Sequence, residues 1–167
     1  MQSDQITSSP NAAFRVVALD AATFAPMFAL SDEELQAHGA RRTVADTKPG
    51  YPCRISLADA EMGERVLLLH HAHHAVDTPY RASGPIFVRE IASTQAIAPG
   101  VIPAAIALRQ LSVRAYDAHG WMHAAEVCKG AELDGVIARL FADARIAYLH
   151  VHNAKPGCYA CRVERVA

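Results

Sequence analysis

Two residues near the C-terminus, His152 and Cys158, have the types and the spacing to do chemistry together. They bracket the loop Asn153-Ala154-Lys155-Pro156-Gly157 within a segment, Ile146 to Val166, that alternates on both sides of it. Successive residues of a strand point to opposite sides, so Ala147, Leu149 and Val151 share one face and Tyr148, His150 and His152 the other. A five-residue loop predicts a hairpin in which His152 faces Cys158 and Val151 faces Tyr159. Leu149 then faces Cys161, Ala147 faces Val163 and Tyr148 faces Arg162. Directly opposed residues have Cβ atoms about 4.5–5.5 Å apart, so His152 could take the Cys158 proton and hold the thiolate. Such a pair supports nucleophilic, redox or metal chemistry, which makes Cys158 and His152 the candidate catalytic residues. They are equally compatible with ordinary side chains on a half-wet sheet.

The same division recurs in two other segments. Leu111, Val113 and Ala115 alternate with Ser112, Arg114 and Tyr116, and Ile86 and Val88 alternate with Phe87 and Arg89. If these strands share a sheet, Arg89, Arg114, Tyr116, His150, His152 and Cys158 line one surface. Tyr80 and Arg81, in the turn-rich segment Thr78 to Glu90, and Asn153, at the head of the C-terminal loop, join them as candidate ligand-binding residues. Arginines suit a small anion through bidentate, charge-assisted bonds, and at least two of Arg81, Arg89 and Arg114 are expected to converge on one cleft. The competing reading is an antiparallel sheet with one solvated face, which produces the same alternation without a site.

Other motifs carry less. The Cys158-Tyr159-Ala160-Cys161 spacing lies in a strand, where residues three apart face opposite sides, so Cys161 belongs in the core. No second such pair exists for a structural zinc site. His70-His71-Ala72-His73-His74 is rich in ligands and reads as an exposed loop after a buried strand. Two of its histidines could join His150 or His152 around a metal, but no carboxylate spacing supports one. No metal is assigned, and no cofactor is identified.

The elements that must position these residues can be placed from local signals. Residues 1–12 read as a disordered lead-in to a single domain over 13–167. Phe14 to Leu19 is a short strand, and Ser31-Asp32-Glu33-Glu34 is a capping box opening a helix that Gly39 ends. Arg42 to Asp46 suits an edge strand, Arg65 to His71 a strand buried on both faces, and Pro85 to Glu90 another. Pro103 starts a short helix to Arg109. Leu111 to Asp117 and Trp121 to Lys129 form a hairpin, and Leu133, Val136, Ile137, Leu140 and Phe141 mark one face of a helix over Ala131 to Ala142. The expected class is α+β: a mainly antiparallel sheet, two or three helices and a C-terminal β-hairpin.

Composition limits the partners. The net charge of −1 and the lack of a basic cluster argue against nucleic acid. The apolar runs are far short of the roughly 20 residues a membrane span needs, and the polar N-terminus lacks a signal-peptide pattern, so a cytoplasmic protein is expected. Four cysteines in a chain of this size read as reduced thiols. The excess of arginine over lysine, with much alanine, suits a GC-rich bacterial genome.

Four ordered motifs resemble one bacterial family. They are Tyr51-Pro52-Cys53-Arg54, the run Pro79 to Glu90, Leu111 to Asp117, and His150 to Cys158. The chain after about residue 12 is similar to the family called domain of unknown function 1203. The His70 to His74 cluster and Cys161 lie outside that family's pattern. The resemblance implies no activity and no catalytic residues. Three functions therefore stay open: a protein that binds, and could process, a small anionic ligand on its polar sheet face; a non-enzymatic structural or interaction protein acting as a homodimer; and a histidine-based metal-binding protein.

Overall fold

A computed structural model describes residues 13–167, and the expected lead-in over 1–12 lies outside the described residues. Two antiparallel sheets organise the chain. One has five strands in the order β1 (Phe14–Val17), β8 (Tyr159–Arg165), β7 (Tyr148–Asn153), β5 (Gln110–Tyr116) and β6 (Met122–Lys129). The other has three, in the order β2 (Arg41–Val44), β3 (Arg65–His74) and β4 (Ala82–Arg89). With the helices below, this is the expected α+β arrangement, closed by a C-terminal hairpin.

Each sheet buries the apolar half of its alternation under helices. Leu111, Val113, Leu149, Val151, Cys161 and Val163 form one face of the five-stranded sheet. Helix α4 (Leu133–Phe141) lays Leu133, Val136, Ile137 and Leu140 against it. Its 3.6-residue repeat produces that stripe. Short helix α3 (Ala104–Ala107) follows Pro103, which stands at its N-cap. On the three-stranded sheet, Leu67, Leu69, Ile86 and Val88 pack with Phe24 of α1 (Ala21–Phe28) and Leu35 of α2 (Asp32–Ala37). Ser31 and Glu34 make the full reciprocal capping box, with bonds of 3.2 and 2.8 Å. Helix α1 has no counterpart in the sequence reading: it is two turns long and contains Pro26, a residue that normally breaks a helix.

Three expectations need correction. The first concerns register. Asn153, not His152, meets Cys158, through Asn153 N–H donating to the Cys158 carbonyl at 2.9 Å. His152 pairs with Tyr159, Val151 with Cys161, Leu149 with Val163 and Tyr148 with Glu164. The cause is a bulge that inserts Ala160 as an extra residue between these pairings. Beyond the bulge the partners move by two positions, an even number, so Cys161 and Val163 keep their expected face, whereas Tyr159, expected on the apolar side opposite Val151, lies on the polar side with His152. Cys161 is accordingly in the core.

The second correction concerns His70 to His74, which are not an exposed loop. They form the far half of β3, whose pairing with β4 continues past a bulge to His74. The third follows from the strand orders: β4 belongs to the other sheet, so Arg89 does not share a surface with Arg114 and His150.

Candidate functional site

The polar face of β5, β7 and β8 is not solvated. The far half of β3 lies over it, and a layer of aromatic rings fills the space between. His73 sits 5.0 Å from His152 and stacks on Tyr159 at 5.1 Å, centroid to centroid. His74 sits 5.0 Å from His150 and 4.1 Å from Tyr116, and Tyr116 stacks on Tyr148 at 5.5 Å. His150 is 2% exposed and His152 1%.

Burial keeps His73, His150 and His152 neutral. It is the main cause that pulls His150 down to about 2, and His73 and His152 to about 4. Neighbouring cations add to the effect, Arg162 on His150 and Arg114 on His73 and His152. The hydrogen bonds fix two tautomers. His152 donates from Nδ1 to the Gly157 carbonyl at 3.0 Å, and its buried Nε2 has no partner. His74 donates from Nδ1 to the Tyr80 carbonyl, so its Nε2 accepts from the Tyr148 hydroxyl at 2.7 Å. Among the described residues, no group of three or more His, Cys, Asp or Glu is placed to hold a metal ion. The layer is a packed polar core.

Open space lies beside this layer. A cleft of about 660 Å³ is bounded by Leu68, Ile86 and Phe87 on the three-stranded sheet. Pro52 and Arg54, Arg109 and Gln110, and the β7–β8 turn from Asn153 to Cys158 enclose its other sides. This volume is within the range that takes a small organic ligand. Its walls are largely apolar, and its polar lining includes Arg54, Arg109, Gln110, Asn153, Lys155 and Cys158.

Arg54 joins the parts of the fold. Its backbone N–H donates to the Phe87 carbonyl of β4, and its own carbonyl accepts from Leu19 just past β1. Its side chain, in a residue only 2% exposed, donates from Nε to the Tyr159 carbonyl of β8 at 2.7 Å and from Nη1 to the Pro52 carbonyl. The remaining contact is Nη2 to Cys158 Sγ, at 3.1 Å. A guanidinium stays charged in proteins, and a buried charge normally carries a counter-charge. Among the described residues no carboxylate forms an ion pair with Arg54. Burial is the largest influence on it and lowers its pKa, while Cys158 is the leading influence in the opposite sense.

The other cationic groups differ. Arg109 is neutralised by Asp59, bonded to both carboxylate oxygens at 2.9 and 2.6 Å. Lys155, in the turn, is exposed at the rim. Asn153 is 5% exposed; its Nδ2 lies 3.5 Å from Cys158 Sγ, and its buried Oδ1 has no partner.

The sequence-predicted residues thus divide into three groups. Cys158 and Asn153 line the cleft. Arg114, Tyr116, His150 and His152 do share one face, but inside the ring layer, where Arg114 lies beside Tyr116 and pairs with His150. The remainder are elsewhere: Arg89 is clamped by Glu64 and Ser56, Arg81 is exposed beside Asp77, and Tyr80 packs its edge against Tyr116 and Trp121. The three arginines do not converge, so the cleft expected from them is not the one formed. Arg54, Arg109 and Lys155 take their place. The available signal was the motif Tyr51-Pro52-Cys53-Arg54, which holds the arginine that the cleft is built around.

Residues 50–165 match the family described as protein of unknown function (DUF1203). No curated protein and no solved structure matches the chain.

Proposed function

Because the chain belongs to the DUF1203 family, whose description assigns no function, we propose its role from the cleft itself: it binds a small organic anion, with Arg54 as the anchor. One observation carries this reading. A buried guanidinium without a carboxylate partner among the described residues stands at the wall of a cleft of about 660 Å³. Leu68, Ile86, Phe87 and Pro156 favour a ligand with an apolar body over a bare inorganic ion. Lys155 at the rim adds a second positive charge on the approach. No helix among the described residues is long and apolar enough to cross a membrane.

The test is thermal unfolding in the presence of acetate, branched and aromatic carboxylates, sulfate and phosphate. A ligand at 100 times its Kd stabilises the folded state by about 2.7 kcal/mol. The carboxylates with apolar bodies should raise Tm most, and Arg54→Met should abolish the shift. If no anion raises Tm, or if Arg54→Met responds as the wild type does, the cleft is not an anion site.

A further inference from the structure

We infer that Cys158 is a nucleophile whose sulfur is held against Arg54, and that its substrate is an electrophile carrying a carboxylate or similar anionic group. This rests on the anion-binding reading of the same cleft and adds a reaction to it.

Three observations converge. Cys158 is only partly exposed, faces the cleft and has its sulfur 3.1 Å from Arg54 Nη2. The other three cysteines are buried, and burial pushes the Cys161 thiol up to about 12. Only the thiolate attacks carbon, and a neighbouring guanidinium favours it. Asn153, which borders the same cleft, keeps a buried Oδ1 without a donor among the described residues. That acceptor suits a hydroxyl or amide N–H of the bound molecule.

The charges also balance. Arg109 is already matched by Asp59, which leaves Arg54 and Lys155 as the two positive charges of the cleft. A thiolate and one ligand carboxylate supply two negative charges. Arg54 has five N–H donors, of which its three contacts above use three, so two remain for the ligand. In the reaction the sulfur lone pair forms the C–S bond, and the electrons of the broken bond depart with the displaced group. Histidine is not the base: His152 Nδ1 is committed to Gly157, and the ring turns toward His73 and Tyr159.

Iodoacetate and iodoacetamide test this directly, since one is anionic and the other neutral. With either, Cys158 gains the carboxymethyl or carbamoylmethyl group and iodide leaves. Alkylation of the full chain is mapped by mass spectrometry at pH 6.5, with the neutral N-acetylcysteine amide in the same tube as the reference thiol. A free thiol is about 1% ionised there. A stabilised thiolate gains up to 100-fold in population and loses much of that in nucleophilicity. Cys158 should therefore outpace the reference roughly fivefold with iodoacetamide. Its preference for iodoacetate should exceed the reference preference by about tenfold through charge attraction. Inert carboxylates should protect it, Lys155→Ala should lower the preference for iodoacetate, and His152→Gln should leave both rates unchanged.

Arg54→Met should remove the excess rate. Because that residue also holds the fold, the wild-type rates and Lys155→Ala decide the matter if the variant does not fold. If Cys158 reacts no faster than the reference while carboxylates still raise Tm, the nucleophile is overturned and the binding reading stands. Fast alkylation that shows no preference for iodoacetate, with no protection and no Tm shift, overturns the anionic substrate together with the binding reading.

Discussion

Acid should unfold this protein through its ring layer, well before its carboxylates titrate. His150 and His152 are 2% and 1% exposed, and their folded-state pKa values stand at about 2 and about 4. In the unfolded chain a histidine titrates near 6.5. Between those values the unfolded state binds a proton that the folded state refuses, so stability is complete above about pH 6.5 and falls with pH below it. At pH 5 each group costs about 1.4 kcal/mol for each of 1.5 pH units, or about 2 kcal/mol. The pair together costs about 4 kcal/mol, a large part of the 5–15 kcal/mol typical of a folded domain. The cost still grows below pH 5, until His152 itself begins to protonate in the fold near pH 4.

Urea denaturation followed by circular dichroism at pH 7 and pH 5 measures this. With a slope of about 2 kcal/mol per molar, this pair should lower the midpoint by about 2 M, and His73, also pulled down to about 4, adds to the fall. In His150→Leu/His152→Leu the fall should be much smaller, whatever that variant's stability at pH 7. Asp117 and Asp143 are held down to about 2 by His123 and Arg145, so their contribution is lost only as pH falls below about 4, outside the window. A flat wild-type midpoint between pH 7 and 5, or an equal fall in the double variant, would refute the dry, neutral layer.

Three further outcomes follow from packing and charge. Arg109→Met leaves Asp59, 6% exposed, without its counter-charge, which should destabilise by about 3–5 kcal/mol; Asp59→Asn in the same chain should recover part of that in chemical denaturation. Gly130→Ala would set a Cβ 2.4 Å from the Ile106 carbonyl oxygen, forcing backbone to move, so a loss of about 1–3 kcal/mol is expected in the same assay. Ser31→Ala removes the capping bond to Glu34 N–H and should lower stability by about 1 kcal/mol, without affecting anion binding.

Faces were legible in the sequence and contacts were not. Which side Leu149, Val151 and Cys161 take depends only on the two-residue period of a strand, which any stretch of chain displays. Which residue His152 meets depends on where an extra residue sits, and nothing in Tyr159-Ala160-Cys161 marks Ala160 as the bulge. The solvated face was misjudged for a related reason. Tyr148, His150 and His152 are polar enough to suit water, and only the distant strand β3 makes them buried. Histidines within β3 read as a loop because they interrupt an apolar run, yet neutral imidazoles stack on other rings and continue a strand well. Arg54 shows the same limit: a buried arginine and a surface arginine look alike until the segments around it are brought together.

The outer strands carry a consequence for how small this protein can be made. β1 closes one edge of the five-stranded sheet and β2 one edge of the three-stranded sheet. Both precede residue 50, where the family match begins. A chain cut to residues 50–165 would lose Phe24 and Leu35 from one core and Phe14 and Val16 from another. It would also bare a full row of backbone N–H and C=O groups along β8 and another along β3. Such open edges recruit strands from neighbouring molecules. The truncated chain should therefore aggregate through cross-molecular pairing even where the cleft residues stay in place, so the recurrent part of the sequence and the self-sufficient part of the molecule are not the same.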